Sequence, residues 1–332
     1  MKISIIGAGA FGTAMAISAS RAGNDVVLWA HDPDVALAIR ETGENPDYLP
    51  GLSLGPRVQA THDLEEATAY SELIFMVTPS HYYREVLTRV ASHARDELSV
   101  VSGTKGIEND SLQRMSEITA EVLGDRLRGF AVLSGPTFAL EVARGDPTAA
   151  VVASSDVAFA QEMQNALSSP TFRLYHSEDV IGVELSGSLK NVIAIAAGVL
   201  DGLGLGFNTN AALITRGLRE MTRLGLAVGG RIETFAGLAG MGDLVLTCTG
   251  ALSRNRTVGV LLGKGQTLED ILRDAKFVAE GVKTSKSAKQ LADRHHIEMP
   301  ITDEMFRVLY EGESARLGVQ RLMTRALKSE MA

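Results

Sequence analysis

Cysteine occurs once in this sequence, at Cys248. An internal disulfide is therefore excluded, and a single thiol fits a reducing compartment. No uninterrupted apolar stretch reaches the ~18 residues of a membrane span, so no membrane insertion is expected. Basic charge is also short: 32 Lys and Arg stand against 40 Asp and Glu, for a formal net charge of −8. Nucleic acids and anionic membranes favour a basic face, so neither is an expected partner. Repeats and low-complexity tracts are missing. The seven histidines show no H-E-x-x-H or comparable spacing, so no metal is expected and His295-His296 reads as an exposed helix end.

What is there suits a globular chain. Of 332 residues, 45% are hydrophobic and 22% charged, enough to bury a core in one large or two medium domains. Glycine, at 33 residues, exceeds the usual ~7% share, as tight turns or backbone held against a ligand would require. Residues 2–20 loosely imitate a secretory signal, but Gly7, Gly9 and Gly12 break the apolar run at spacings a cleaved signal has no use for. A cytoplasmic protein is the expectation.

β-rich runs at 2–6, 26–30, 73–77, 98–102, 131–133 and 149–153 alternate with helical patterns such as 11–21 and 82–94. That alternation implies parallel pairing in a doubly wound sheet. Residues 171–176 read as a last strand, and Ser177, with Glu178 and Asp179 after it, as a helix N-cap with an acidic first turn. Beyond it the pattern is helical: 180–200, 210–224, 267–276, 282–294, 302–310 and 314–328. The expected division is therefore 1–180 and 181–332, the second part all-α.

Gly7-Ala8-Gly9-Ala10-Phe11-Gly12 follows a strand and opens a helix. The first glycine permits a tight turn, the second a close approach to a pyrophosphate, the third close helix–strand packing. The free N–H groups of the helix start then face the phosphates. The first half thus reads as a Rossmann-type α/β dinucleotide-binding domain. Asp32 stands near the position of an acid that binds the ribose of NAD, whereas His31, when protonated, suits the extra phosphate of NADP. NAD and NADP both remain open.

Lys190 and Asn191 interrupt an otherwise small and apolar helix. Apolar surroundings push a lysine pKa down and suit it to general acid–base work, although long lysines also snorkel to solvent. Hydride transfer at a carbinol carbon needs such a group. Around Gly240-Met241-Gly242-Asp243 and Thr247, polar residues framed by glycine and apolar neighbours suggest a buried polar site. Ser253-Arg254-Asn255 offers hydroxyl, guanidinium and amide donors suited to a phosphate, or equally a helix cap with a surface arginine. Ser134-Gly135-Pro136-Thr137-Phe138-Ala139 and Gly103-Thr104-Lys105-Gly106 both follow predicted strands, where parallel sheets bind ligands. Gly259 to Gly265 imitates a phosphate loop but is one residue short and follows no strand. Cys248 reads as a buried thiol rather than a nucleophile.

These residues resemble those of bacterial NAD(P)-dependent glycerol-3-phosphate dehydrogenase. The landmarks run in order: the glycine loop, Asn45-Pro46-Asp47-Tyr48-Leu49-Pro50-Gly51, Ser102 to Gly106, Ser134 to Ala139, Leu189 to Gly198, Gly237 to Asp243, Ser253 to Asn255, and Val278-Ala279-Glu280-Gly281. The resemblance implies reversible NAD(P)H-dependent reduction of dihydroxyacetone phosphate to sn-glycerol 3-phosphate, which supplies phospholipid synthesis, and a homodimer. Lys190 matches the catalytic proton acceptor of the oxidation direction. Lys105, Gly135, Thr137, Lys190, Asp243, Ser253, Arg254 and Asn255 match substrate contacts. Gly7, Gly9 and Gly12 carry the loop, while Ala10, Phe11, His31, Lys105, Ala139, Arg254, Val278 and Glu280 match cofactor contacts.

The sequence departs from that family at Ala10, where Ser or Thr is common, and at His31, where Arg is common. Competing readings are another two-domain reductase, of the ketopantoate reductase or β-hydroxyacid dehydrogenase type, and a non-catalytic NAD(P)H sensor. The first would not depend on a substrate phosphate; the second would bind cofactor and turn nothing over.

Overall fold

The computed structural model describes residues 1–94, 97–274 and 278–330. In chain order the strands are β1 (Lys2–Ile6), β2 (Asp25–Trp29), β3 (Glu44–Asn45), β4 (Leu49–Ser53), β5 (Val58–Thr61), β6 (Leu73–Met76), β7 (Leu98–Ser102), β8 (Leu127–Ser134), β9 (Thr148–Ala153) and β10 (Phe172–Ser177). Eight of them form one sheet in the order β5-β2-β1-β6-β7-β8-β9-β10, while β3 and β4 pair as a separate antiparallel hairpin. Helices cover both faces, so central strands such as β6 are buried along their whole length. The chain runs outward through β2 and β5, then returns to β6 on the other side of β1. That reversal opens a crevice beyond the carboxyl ends of β1 and β6, where open α/β sheets bind ligands.

The parallel pairing expected throughout holds from β5 to β8, and β9 corrects it by running antiparallel to β8. The reason lies in the connection. Its only helix, Ala139–Arg144, has six residues and spans ~9 Å, whereas a six-residue strand covers ~20 Å. The helix alone falls short of the strand length that a crossover must retrace, and β9 starts where β8 finishes. Gly135, Thr137 and Ala139 are thereby all held at the carboxyl end of β8.

From residue 180 onward the described residues form helices and no strand. At their centre is Val180–Gly202, buried from Gly182 to Leu200. It is long and apolar enough to cross a bilayer by length and composition, but 89% of its most apolar window is buried inside the protein. Phe207–Ala227, Asp243–Thr249, Arg254–Gly263, Glu280–Arg294 and Pro300–Tyr310 pack around it. Arg254–Gly263 crosses it almost backbone to backbone: a Cβ on Gly198 would strike the Arg256 carbonyl, and one on Gly259 the Ile195 carbonyl. The phosphate-loop look-alike is thus a helix-packing seam.

Two helix ends differ from expectation. Ser177 closes β10, and the N-cap of the central helix is Asp179, which accepts from Gly182 N at 2.8 Å. The same buried carboxylate accepts from Arg231 N and Thr234 Oγ1, tying a later turn to the helix start. A carboxylate outcompetes a serine hydroxyl when three donors converge. The last helix is Ala315–Met323, shorter than 314–328, and the end of 267–276 lies outside the described residues, which show Leu268–Asp274.

Candidate active site

The glycine loop joins β1 to the helix Ala10–Arg21. Gly7 takes φ +121°, a conformation that L side chains rarely adopt, and a Cβ there would lie 2.9 Å from the Val77 carbonyl oxygen. Gly12 packs so closely on Gly7 that a Cβ would strike the Gly7 carbonyl. Gly9 is the N-cap, with open space where its Cβ would be and no side chain capping the helix. The N–H groups of the first turn, at Ala10, Phe11 and Gly12, therefore lack an intrahelical partner and suit a pyrophosphate. Ala10 is buried and Phe11 half-buried against Gly103.

His31 stands exposed beyond β2, its ring 5.9 Å from that of Trp29. Asp32 caps the helix Pro33–Thr42 by accepting from Asp34 N at 2.9 Å, which engages one of its oxygens. Both follow β2, which lies on the side of β1 opposite β6 and β7.

Lys190 projects from the central helix, only 6% exposed. Its Nζ donates to Asp243 Oδ1 at 2.6 Å and to Thr247 Oγ1 at 2.7 Å. Lys105, beyond β7, donates to the other Asp243 oxygen at 2.7 Å and reaches the Gly135 carbonyl at 3.5 Å. Burial, and to a lesser degree the Lys105 charge, lowers the Lys190 pKa to about 8, although Asp243 opposes them. The snorkelling alternative fails, because the ammonium is buried and bonded.

Asp243 is held by an unusual turn. Leu238–Gly242 is wound as a π-helix, with Gly242 N donating to the Gly237 carbonyl. Such turns recur at functional sites. The α-helix that follows sets Thr247 one turn beyond Asp243, and its hydroxyl donates to the Asp243 carbonyl at 2.6 Å. That hydrogen is committed, so Thr247 offers Lys190 an acceptor. The buried polar site expected around Asp243 and Thr247 is therefore present, with Lys190 as its third member.

Ser253 is the N-cap of Arg254–Gly263 and accepts from Arg256 N at 3.2 Å. Arg254 is exposed and bonds to no described side chain or backbone group, whereas Asn255 is buried. Asn255 donates to Asn191 Oδ1 at 3.0 Å and accepts from Gly281 N at 2.9 Å, which leaves one amide hydrogen. Thr137 donates to the Gly135 carbonyl. Glu280 accepts from Ser80 N and Oγ across the crevice, and burial raises its pKa. Val278 is exposed, and Ala139 begins its helix half-buried. Lys105, Lys190, Asp243 and Gly135 are thus joined by hydrogen bonds, and among the described residues no such bond links His31, Arg254 or Val278 to them. No sequence motif marks Ser80 or Glu184, and the latter bonds Arg114 and Ser116 and pins the central helix to the sheet half.

A dinucleotide-type glycine loop, a buried lysine with a lowered pKa and an exposed arginine beside a helix start are equipment that suits a nicotinamide-dependent reductase of an anionic substrate. Comparison with known proteins narrows this. Residues 2–160 match the family model "NAD-dependent glycerol-3-phosphate dehydrogenase N-terminus", and residues 179–320 match its C-terminal counterpart. Glycerol-3-phosphate dehydrogenase [NAD(P)+] of Geobacter sulfurreducens is 52% identical over 330 residues, covering 99% of this chain and 98% of that protein. The counterpart in Citrifermentans bemidjiense is 51% identical over the same coverage. A crystal structure of glycerol-3-phosphate dehydrogenase from Coxiella burnetii superposes with a TM-score of 0.93 at 41% identity, over 98% of this chain and 99% of that one. With both halves matched in order and full-length relatives half identical to it, this chain belongs to the NAD-dependent glycerol-3-phosphate dehydrogenase family.

Proposed function

We propose that this protein reversibly reduces dihydroxyacetone phosphate to sn-glycerol 3-phosphate with NADH or NADPH, with Lys190 as the proton-transferring residue. The observation that carries this reading is the Lys190–Asp243–Lys105 cluster at the carboxyl ends of the strands, beside the glycine loop. When bound, the reduced nicotinamide supplies the hydride that reaches the ketone carbon. Lys190 then has one task. An ammonium has three hydrogens, and two are held by Asp243 and Thr247. The third is left for the ketone oxygen, where negative charge grows during reduction and is stabilised, then neutralised, by the proton. In the oxidation direction the neutral amine takes the hydroxyl proton.

Lys105 has a spare hydrogen by the same count, since Asp243 and Gly135 engage two. It suits a substrate oxygen next to the reacting carbon. Ser253, Arg254 and the start of their helix suit the phosphate, and Asn255 keeps one donor for the same ligand. We assign cofactor contacts to the glycine loop with Ala10 and Phe11, and further along to His31, Lys105, Ala139, Arg254, Val278 and Glu280. The chain divides in this reading into a cofactor half, 1–180, and a substrate half, 181–332. The remaining proposals are supply of phospholipid synthesis in the cytoplasm and assembly as a homodimer, which sedimentation would check.

The deciding assay follows loss of reduced-nicotinamide absorbance with dihydroxyacetone phosphate, with dihydroxyacetone and ketopantoate as controls. Oxidation of cofactor only with the phosphorylated ketone is the expected result; cofactor binding without turnover of any ketone would sink it. Lys190→Ala should retain cofactor affinity and lose about 10²–10⁴-fold in turnover.

A further inference from the structure

The hairpin β3–β4 stands apart from the main sheet, yet it carries a residue buried against the glycine loop. Asn45 is 0% exposed. Its Nδ2 donates to the Ala8 carbonyl at 2.9 Å and to Thr13 Oγ1 at 2.8 Å, and Thr13 Oγ1 also lies 3.4 Å from that carbonyl. Both amide hydrogens are therefore spent on the loop and the helix behind it. The Asn45 oxygen has no partner, so the side chain does not serve its own hairpin.

We infer that Asn45 is a positioning residue for cofactor binding: by clamping the Ala8 carbonyl from behind, it aims the Gly9 N–H at the pyrophosphate. This rests on the dinucleotide reading of the loop. A trans peptide is planar, with C=O and N–H pointing in opposite directions, and the described residues contain no cis peptide bond. Fixing the Ala8 carbonyl toward Asn45 turns the Gly9 N–H away from it. That N–H donates to no described group. No side chain caps the helix Ala10–Arg21 either.

The loop needs such a clamp because its glycines make it pliable. Gly7 and Gly9 lower the barrier to flipping the peptides between them, and a flipped Ala8–Gly9 peptide would present a carbonyl oxygen to an anionic ligand. Two hydrogen bonds from a buried amide hold the peptide in the receptive orientation before any ligand arrives, so binding loses less entropy. Hairpin, loop and helix are thereby coupled through one side chain, which gives the Asn45-Pro46-Asp47-Tyr48-Leu49-Pro50-Gly51 run a task at a site it does not line.

The test is calorimetric binding of ADP-ribose, which carries the pyrophosphate, and NMR titration with AMP, which lacks it. Both use the full-length protein. Asn45→Ala should weaken ADP-ribose about tenfold, the effect of a lost buried hydrogen bond, and leave AMP within about twofold. Asn45→Asp, equal in shape but setting a carboxylate against the Ala8 carbonyl, should weaken ADP-ribose further. If Asn45→Ala does not fold, Asn45→Ser keeps one donor and should show a smaller loss with the same selectivity. Unchanged ADP-ribose affinity in a folded variant, or equal losses for both ligands, would overturn the clamp. A wild-type protein that binds neither ADP-ribose nor NADPH would instead overturn the dinucleotide reading itself.

Discussion

Lys105 and Lys190 come from opposite halves of the chain and hold the two oxygens of one carboxylate, at 2.7 and 2.6 Å from Asp243. Neither cation could be buried there alone. Asp243→Asn keeps the shape and removes the shared charge, which should destabilise the protein by about 3–5 kcal/mol at pH 7. The loss should shrink at higher pH, as Lys190 gives up its proton. Urea denaturation of both proteins at two pH values checks this, and a loss independent of pH would contradict it.

Activity should report the Lys190 pKa of about 8. Reduction needs the ammonium, so its rate should fall as pH rises through that value, and oxidation should rise over the same range. Stability carries the matching sign. Between about 8 and the ordinary 10.5 the unfolded chain binds more protons at this residue, so its contribution to stability grows with pH. Initial rates in both directions across this range would reveal opposite limbs; a flat profile would remove Lys190 from the proton transfer.

Arg254 is exposed and unpartnered among the described residues, so Arg254→Ala should leave stability within about 0.5 kcal/mol. Its effect should fall on the phosphate. Binding of dihydroxyacetone phosphate should weaken by about 1.5–3 kcal/mol, the value of a charged hydrogen bond. A phosphate-free ketone should lose nothing, and an equal loss for both would assign Arg254 elsewhere.

Cys248 is buried, and that burial pushes its thiol up to about 12. A thiol reagent at pH 8 should leave it unmodified in the native protein and react fully in denaturant. Rapid native labelling with loss of activity would mean that the cleft opens far more than its packing implies.

Local features were legible in the sequence and convergent ones were not. The glycine loop could be read because strand, turns and helix start follow one another within a dozen residues. The lysine pair could not be assembled from spacing, since Asp243 lies 53 residues from Lys190 and 138 from Lys105. The helix that carries Asp243 and Thr247 is not legible, because a run beginning Gly237-Leu238-Ala239-Gly240 has poor helix propensity, and tertiary packing overrides it. The antiparallel direction of β9 is not legible, because alternation implies parallel pairing and carries no information on how far each connecting helix brings the chain back. The cap at Asp179 is not legible locally, since the donors that favour it over Ser177, Arg231 N and Thr234 Oγ1, lie more than fifty residues away.

The glycine seam between Val180–Gly202 and Arg254–Gly263 also limits how the enzyme can move. Lys190 rides on the first helix, and Ser253, Arg254 and Asn255 sit at the start of the second. With backbones in contact, neither helix can slide without colliding carbonyls. The proposed proton-transferring residue and the proposed phosphate anchor are therefore carried on a single jaw of fixed gauge. A ketone with its phosphate one carbon further out is therefore expected to be a poorer substrate, because the seam leaves the two helices no room to adjust their spacing.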